Sequence, residues 1–200
     1  MKNFSGFKKQ AQRGFTLIEI LVALSILSVI ALLASTAFDG SRSKAQAMIG
    51  LAKQVGDANI MLKTDTGCYV DNPNALFDSV VAQLPANNYC GRVFGNTWSR
   101  NYLGQYTVNG VGDIVADKIS AGVTLGFGVE ASGVGSGKRY FVKVSNVPTD
   151  ILKQALMECN NSTTVDDKGD LAKNRCRTSP ATDLSGDAPG DFDMLYDTTR

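Results

Sequence analysis

The sequence predicts an α+β fold, in which one long N-terminal helix packs on an antiparallel β-sheet head with added short helices. Three observations lead to this prediction. An apolar stretch without proline begins at Phe15, and a more polar helical pattern extends it to Thr66. Alternating apolar and polar residues, typical of half-buried strands, then recur between residues 106 and 147. Four cysteines lie at the ends of segments of the head, including a segment in its C-terminal region.

Residues 15–38 are the most apolar stretch of the chain, with 24 residues and a single charge, at Glu19. At about 1.5 Å per residue, a helix of this length spans roughly 36 Å, which is enough to cross a bilayer. Its leucine, alanine and isoleucine residues are mostly good helix formers. Because a carboxylate inside such a segment is costly unless a partner neutralises it, Glu19 requires an explanation.

Residues 41–64 continue as an amphipathic helix, which we expect to end at Thr66-Gly67. Gly50 and Gly56 each weaken this helix by about 1 kcal/mol relative to alanine, so some bending is allowed. Its charged residues lie largely away from one apolar stripe. The stripe consists of Ala45, Met48, Ala52, Val55 and Leu62.

A short helix is predicted after the turn Asn72-Pro73-Asn74, and Pro85 ends it. Its apolar face would consist of Leu76, Phe77, Val80, Val81 and Leu84. Residues 86–104 are rich in loop-forming residues. We expect their aromatic residues to pack in the head core rather than to form a ligand platform; these are Tyr89, Trp98 and Tyr102.

Two hairpins are predicted next. In the first, residues 106–108 and 111–116 flank Asn109-Gly110, a strong signal for a tight hairpin turn. In the second, residues 123–130 and 139–147 flank a glycine-rich tip at residues 132–137. This tip only superficially resembles a phosphate-binding loop, because that pattern requires glycine at position 132 and serine or threonine at position 139.

The C-terminal region begins with a helix from Pro148-Thr149-Asp150 to Cys159, with apolar residues on one side. A polar connection at residues 160–177 follows. Alternation at Phe192, Met194 and Tyr196 then predicts a last strand at the edge of the sheet.

The net charge is +1, but its distribution is uneven. The first 14 residues contain no acid and four basic residues: Lys2, Lys8, Lys9 and Arg13. Without these four, 16 basic residues remain against 19 acidic ones, a net charge of −3, which argues against a nucleic-acid-binding face. Because cationic flanks stay cytoplasmic, the amino end would face inward and the bulk of the chain would be exported.

Four cysteines in an exported chain favour disulfides. Of the three possible pairings we favour Cys68–Cys90 and Cys159–Cys176. Their spacings are not those of paired CxxC motifs, which argues against zinc or thioredoxin-like chemistry. The chain has no histidine, the commonest general base and metal ligand. We therefore predict no catalytic residues and no enzyme.

An acidic, glycine-containing segment near the C-terminus is the most ligand-like set in the chain. Its aspartates could supply oxygen ligands to calcium. However, their spacing is not that of an EF-hand, and aspartates in turns usually cap backbone amides. We therefore expect no required cofactor, with calcium as the one candidate. The residues concerned are Asp183, Asp187, Asp191 and Asp193.

The junction Arg13-Gly14-Phe15-Thr16-Leu17-Ile18-Glu19 resembles the processing site of type IV prepilins and pseudopilins. The resemblance implies that a prepilin peptidase cleaves between Gly14 and Phe15 and that the new amino group of Phe15 is methylated. That cationic amine would be the counter-charge for Glu19 of a neighbouring subunit in the low dielectric of the membrane. Glu19 would then set the register of assembly.

The resemblance also implies a domain organisation and a location. Residues 1–14 would be a cleaved cytoplasmic leader, 15–66 the long helix with a membrane-spanning part at 15–38, and 67–200 a periplasmic or extracellular head. The precursor would be a single-pass inner-membrane protein that later joins an extracellular type IV pilus (fimbrium). Its partners would be its own copies in a helical filament, the peptidase, an inner-membrane platform protein and an assembly ATPase.

Several alternatives stay open at the level of sequence. An ordinary signal peptide cleaved near Ser35-Thr36-Ala37 is disfavoured, because its apolar region would be shorter and uncharged. A plain membrane anchor with an accidental glutamate is a second alternative.

Alternatives for the function also stay open. Within the class of pilin-like proteins, the chain could be a type II secretion pseudopilin or a minor pilin. In a different class, it could be a membrane-anchored periplasmic enzyme or binding protein. The short leader and Phe15 resemble the IVa subclass, while the added helix and four cysteines resemble IVb pilins. Twitching motility, adhesion, DNA uptake and secretion are not distinguished.

Overall fold

The computed structural model describes residues 18, 20–28, 40–133, 135–164, 170–178 and 184–199. The chain divides into two units, Met1–Asp39 and Gly40–Arg200, and each is described by itself. In the first unit, the described residues 18 and 20–28 are all helical. Within the described residues, no helix combines the length and the apolar character needed to cross a membrane.

The second unit begins with the 27-residue helix α1, Gly40–Thr66. It ends where the sequence predicted, because Gly67 takes a left-handed conformation with φ of 77° and its N–H donates to Lys63 O at 2.6 Å. The predicted stripe is confirmed as the packed side of the helix. Its members are fully buried: Ala45, Met48, Ala52, Val55 and Leu62.

The single short helix predicted after α1 is wrong in its extent. The structure has a 3-10 turn at Pro73–Leu76, the four-residue helix α2 at Ser79–Ala82 and a second 3-10 turn at Pro85–Asn87. The cause is Asp78, whose side chain accepts hydrogen bonds from Val80 N and Val81 N and starts a new helix there. The predicted apolar face is therefore broken, and Val80 and Leu84 are exposed while Leu76 is buried.

A five-stranded antiparallel sheet, in the order β1-β2-β3-β5-β4, forms the rest of the core. Helix α3, Thr149–Asn160, lies between β3 and β4 in sequence and contacts α1. The strands are β1 Ile114–Val115, β2 Thr124–Ala131, β3 Lys138–Val147, β4 Cys176–Thr178 and β5 Gly190–Thr198.

The second predicted hairpin is confirmed, since β2 and β3 pair from Thr124↔Ser145 to Ala131↔Lys138. The first is reduced to an isolated bridge between Val108 and Ile114. There the Asn109 side chain accepts hydrogen bonds from Val111 N at 3.0 Å and Asp113 N at 2.9 Å. This side-chain turn competes with the tight two-residue turn, so β1 contains only two residues.

The last strand is longer than predicted and is not at the edge. Strand β5 pairs with β3 on one side and with β4 on the other, so β4 is the edge strand. Phe192 and Met194 face the core with Val142 and Val144 of β3, which they oppose in register, and all four are fully or almost fully buried. Burying one such side chain stabilises the fold by about 1.5–3 kcal/mol.

The aromatic residues of the loop region pack partly as predicted. Trp98 and Tyr102 are half-buried against the core, and their rings lie 6.2 Å apart. Trp98 Nε1 donates to Ala75 O at 3.0 Å. Tyr89 contacts the ring of Tyr140 at 5.6 Å.

Candidate assembly helix and the disulfide-closed head

The described helix in the first unit presents an apolar surface on all sides. Each of its large apolar side chains is at least half exposed, from Ile20 at 50% to Ile18 at 68%. The hydroxyls of Ser25 and Ser28 donate to Val22 O and Ser25 O, both at 2.8 Å, and so are satisfied within the helix. A helix that is apolar all round needs an apolar environment, which a bilayer or other helices provide.

The residues predicted for processing and assembly are Gly14, Phe15 and Glu19. They lie outside the described residues, so their roles remain predictions. The described neighbours of Glu19, Ile18 and Ile20, are helical and exposed.

The first disulfide joins Cys68 to Cys90, one of the two pairs favoured from the sequence, with Cα atoms 6.2 Å apart. A fully buried asparagine reinforces the same loop. Asn59 of α1 donates to Val70 O and accepts from Val70 N, both at 3.0 Å, and it also donates to the hydroxyl of Tyr196 at 2.9 Å. One side chain therefore connects α1, the segment after Cys68 and strand β5.

The second disulfide joins Cys159 to Cys176, the other favoured pair, with Cα atoms 6.0 Å apart. It attaches the end of α3 to the edge strand β4. Asn160 reproduces the pairing of a neighbouring strand, since it donates to Cys176 O at 2.8 Å and accepts from Cys176 N at 2.9 Å. It thus occupies backbone groups that an edge strand would otherwise expose. A disulfide of this kind typically contributes about 2–4 kcal/mol.

Two of the four acidic residues considered for calcium are paired with cations. Asp191 lies 2.8 Å from Lys143 Nζ, and Asp193 lies 3.0 Å from Arg177 Nε. Asp187 is exposed, and Asp183 lies outside the described residues. Among the described residues, no three or more histidine, cysteine, aspartate or glutamate side chains are grouped to hold a metal ion.

These ion pairs belong to a network on the sheet face opposite α1, which we call the outer sheet face. It contains Glu130 of β2, Arg139 and Lys143 of β3, Arg177 of β4, and Asp191 and Asp193 of β5. Arg177 Nη1 lies 2.8 Å from Glu130 Oε2, and Arg139 Nη1 lies 3.4 Å from Glu130 Oε1. The Arg177 guanidinium also lies 5.3 Å from the centre of the Phe141 ring. The network therefore fixes the edge strand to the centre of the sheet.

Burial shapes the electrostatics of this network. The side chain of Asp193 is only 4% exposed, and burial raises its pKa despite the hydrogen bond from Arg177. The pKa of Lys143 is also raised, chiefly by its hydrogen bond to Asp191, although burial opposes this shift. Asp193 Oδ1 has no hydrogen-bond partner within the described part of the chain. Such a carboxylate depends on Arg177 for its neutralisation.

The sequence indicates Gly56 only as a position that weakens α1, and it does not predict the contacts of Asn59 or Asn160. Gly56 faces strand β5, and a Cβ at this position would lie 2.8 Å from Tyr196 Cβ. The close packing at Gly56 could have been suspected from the sequence, because this glycine interrupts the amphipathic pattern of α1 next to the buried Val55. The asparagines gave no such signal, since their backbone partners depend on the tertiary fold.

Comparison with known proteins provides one finding. A family model for the prokaryotic N-terminal methylation motif matches residues 9–35. This motif is the leader signature of type IV pilins and pseudopilins, and it indicates a structural pilin rather than an enzyme. The N-terminal helix, five-stranded antiparallel sheet and two disulfides are consistent with a type IV pilin fold. Searches of curated proteins and of solved structures found no match. The motif thus supports a type IV pilin-like or pseudopilin precursor.

Proposed function

We propose that this chain is the precursor of a structural subunit of a type IV pilus-like filament. The observation that carries the proposal is the methylation motif at residues 9–35. The exposed apolar helix at residues 20–28 and the compact unit Gly40–Arg200 with its own buried core support it. A structural subunit requires these parts: a segment that associates and a folded head that forms the outer surface.

The proposed maturation removes residues 1–14. A prepilin peptidase cleaves between Gly14 and Phe15 on the cytoplasmic side and methylates the new amino group. Before assembly, residues 15–38 hold the subunit in the inner membrane as a single pass, and the head at residues 67–200 lies outside. The basic leader supports this orientation, because cationic flanks remain cytoplasmic.

The proposed assembly stacks the apolar helices of many copies. Packing of their apolar surfaces provides cohesion, and the pairing of Glu19 with the Phe15 amine of another copy provides register. Two opposite charges 4 Å apart are worth about 1 kcal/mol in water and considerably more in a low dielectric. The partners are further copies of the chain, the peptidase, a platform protein in the inner membrane and an assembly ATPase.

Mass spectrometry of filaments sheared from cells tests maturation directly. The expected product begins at N-methylated Phe15 and contains the Cys68–Cys90 and Cys159–Cys176 disulfides. A product that begins at Met1 or near Phe38 would contradict the processing step. Absence of the chain from sheared filaments would contradict the role of a filament subunit and favour a pseudopilin.

A charge substitution tests the assembly step. Glu19→Ala should leave the protein folded and membrane-bound but reduce the yield of sheared filaments strongly. Glu158→Ala is the matched control, because Glu158 forms an exposed ion pair with Arg42 in the head, and such pairs contribute little. Normal filament yield from Glu19→Ala would contradict the register role.

A further inference from the structure

A cleft of about 450 Å³ lies between two loop segments of the head, residues 74–79 and 98–108. Its aromatic residues are Phe77, which is almost fully buried, and the half-buried Trp98 and Tyr106. The volume lies in the range of about 300–1,000 Å³ that small-ligand sites occupy. The cleft is therefore large enough for one or two sugar rings.

The walls of the cleft are held in place by hydrogen bonds to backbone carbonyl oxygens. Tyr102 N and Leu103 N both donate to Leu76 O, at 2.8 and 3.3 Å, and Trp98 Nε1 donates to Ala75 O at 3.0 Å. The second segment is also tied to the sheet, because Val115 N donates to Thr107 O at 2.8 Å. A site with fixed walls loses little conformational entropy when a ligand binds.

Polar side chains surround the aromatic residues and remain available to a ligand. Asn74, Asn101 and Gln105 line the cleft, and within the described residues no hydrogen bond engages their side-chain amides. Asp78 Oδ1 caps helix α2, which leaves its Oδ2 atom for another donor. The cleft thus combines aromatic faces with several amide donors and acceptors.

The charge of the lining selects among ligands. Among the residues that the structure describes, one carboxylate, that of Asp78, lines the cleft, and no basic side chain does. An anionic ligand would therefore meet a like charge without a compensating cation. A neutral ligand with many hydroxyl groups and apolar C–H faces suits this combination, because its hydroxyls bond to amides while its faces pack on aromatic rings.

We propose that this cleft binds a neutral saccharide. The C–H face of one sugar ring packs against Trp98 and Tyr106, and its hydroxyls bond to Asn101, Gln105 and Asp78. This site is distinct from the proposed assembly segment, so the inference does not depend on filament formation. Because the cleft is open to solvent, we expect a Kd on the order of 1 mM for a short saccharide.

The experiment uses the fact that Trp98 is the only tryptophan of the chain, so that tryptophan emission reports on the cleft. The full chain is purified in lauryldimethylamine oxide, whose headgroup is not a sugar. Maltotriose, cellotriose and chitotriose are titrated as neutral probes, with sialyllactose as the anionic comparison. We expect a saturable change in Trp98 emission with at least one neutral probe and weaker binding of sialyllactose.

Substitutions locate the binding in the cleft. Asn101→Ala and Gln105→Ala should each weaken binding about fivefold, the effect of losing one hydrogen bond. Asn96→Ala is the matched control, since Asn96 is an exposed amide in the neighbouring turn Gly95–Thr97 and does not line the cleft. Tyr106→Phe keeps the ring and should retain binding, whereas Tyr106→Ala should lose it, with circular dichroism verifying that both variants are folded.

Three outcomes would overturn the proposal. The first is the absence of a saturable emission change with any neutral probe up to about 10 mM, well above the expected Kd. The second is that Asn101→Ala and Gln105→Ala weaken saccharide binding no more than Asn96→Ala does. The third is a response to a short proline-rich peptide but to none of the saccharides, which would assign the aromatic cleft to an extended peptide.

Discussion

Two helical regions of this chain contain the same kinds of apolar residue and meet opposite environments. In residues 20–28, leucine, isoleucine and valine side chains are each about half or more exposed. In helix α1, the stripe from Ala45 to Leu62 is fully buried against the sheet and α3. Composition alone therefore does not determine burial; the element packed against the helix determines it.

The sequence pattern of each region matches its environment. Helix α1 has polar residues at the remaining helical positions, because its other side faces water. Residues 20–28 have no such polar side apart from two serines, whose hydroxyls bond within the helix. The first region thus leaves its apolar side chains exposed, whereas the second buries its apolar stripe within one chain.

The same substitution in the two regions should give the largest contrast. Leu62→Ala should reduce the free energy of unfolding of the head by about 2–5 kcal/mol, because Leu62 is fully buried. Leu24→Ala should change it by less than about 0.5 kcal/mol, because Leu24 is 58% exposed. Urea unfolding of the full chain in detergent, followed by Trp98 emission, measures both. Equal effects would contradict the separation of the two regions.

The buried asparagine of α1 should have the next largest effect. Asn59→Ala leaves Val70 N and Val70 O without their partner, and an unsatisfied buried group costs about 1–3 kcal/mol. Gln46→Ala, an exposed position on the same helix, is the control and should be nearly neutral. The midpoints of chemical unfolding measure the difference, and a neutral Asn59→Ala would show that the hydrogen bonds of Asn59 do not stabilise the head.

The two glycines of α1 should respond in opposite directions to the same change. Gly56→Ala places a Cβ 2.8 Å from Tyr196 Cβ and should destabilise the head by about 1 kcal/mol net of the gain in helix propensity. Gly50→Ala meets no atom of the described residues within 4 Å and should stabilise the protein by up to about 1 kcal/mol. Thermal unfolding of both variants measures the signs, and a stabilising Gly56→Ala would contradict the close contact with β5.

The smallest expected effect is a pH dependence at Asp193. Its pKa in the folded protein is raised above the ordinary value of 3.8, chiefly by burial, so the folded state binds the proton more tightly than the unfolded state. This group therefore adds stability below pH 3.8, and that stability is lost as the pH rises through the raised value. The free energy of unfolding of the native chain, minus that of the Asp193→Asn variant, should thus increase as the pH falls. Chemical unfolding of both proteins across the acid range measures this difference. A decrease would contradict the raised pKa.

Local sequence patterns correctly predicted the elements that depend only on residues close together in the sequence. The end of α1 at Thr66 follows from Gly67, and the pairing of β2 with β3 follows from alternation on both sides of a short glycine-rich tip. The short helix after α1 and the first hairpin were mispredicted for one shared reason. In each, a polar side chain, Asp78 or Asn109, bonds to nearby backbone N–H groups and redirects the chain.

The sequence by itself was enough to recognise the N-terminal methylation motif, because this motif and the apolar stretch need no tertiary context. It also determined the α+β order and the buried stripe of α1. Only the tertiary structure decided that β5 lies inside the sheet, that Asn59 and Asn160 pair with distant backbone, and that Arg177 joins Glu130 to Asp193. The physical reason is that these contacts depend on the register between strands far apart in the chain, which no local periodicity encodes.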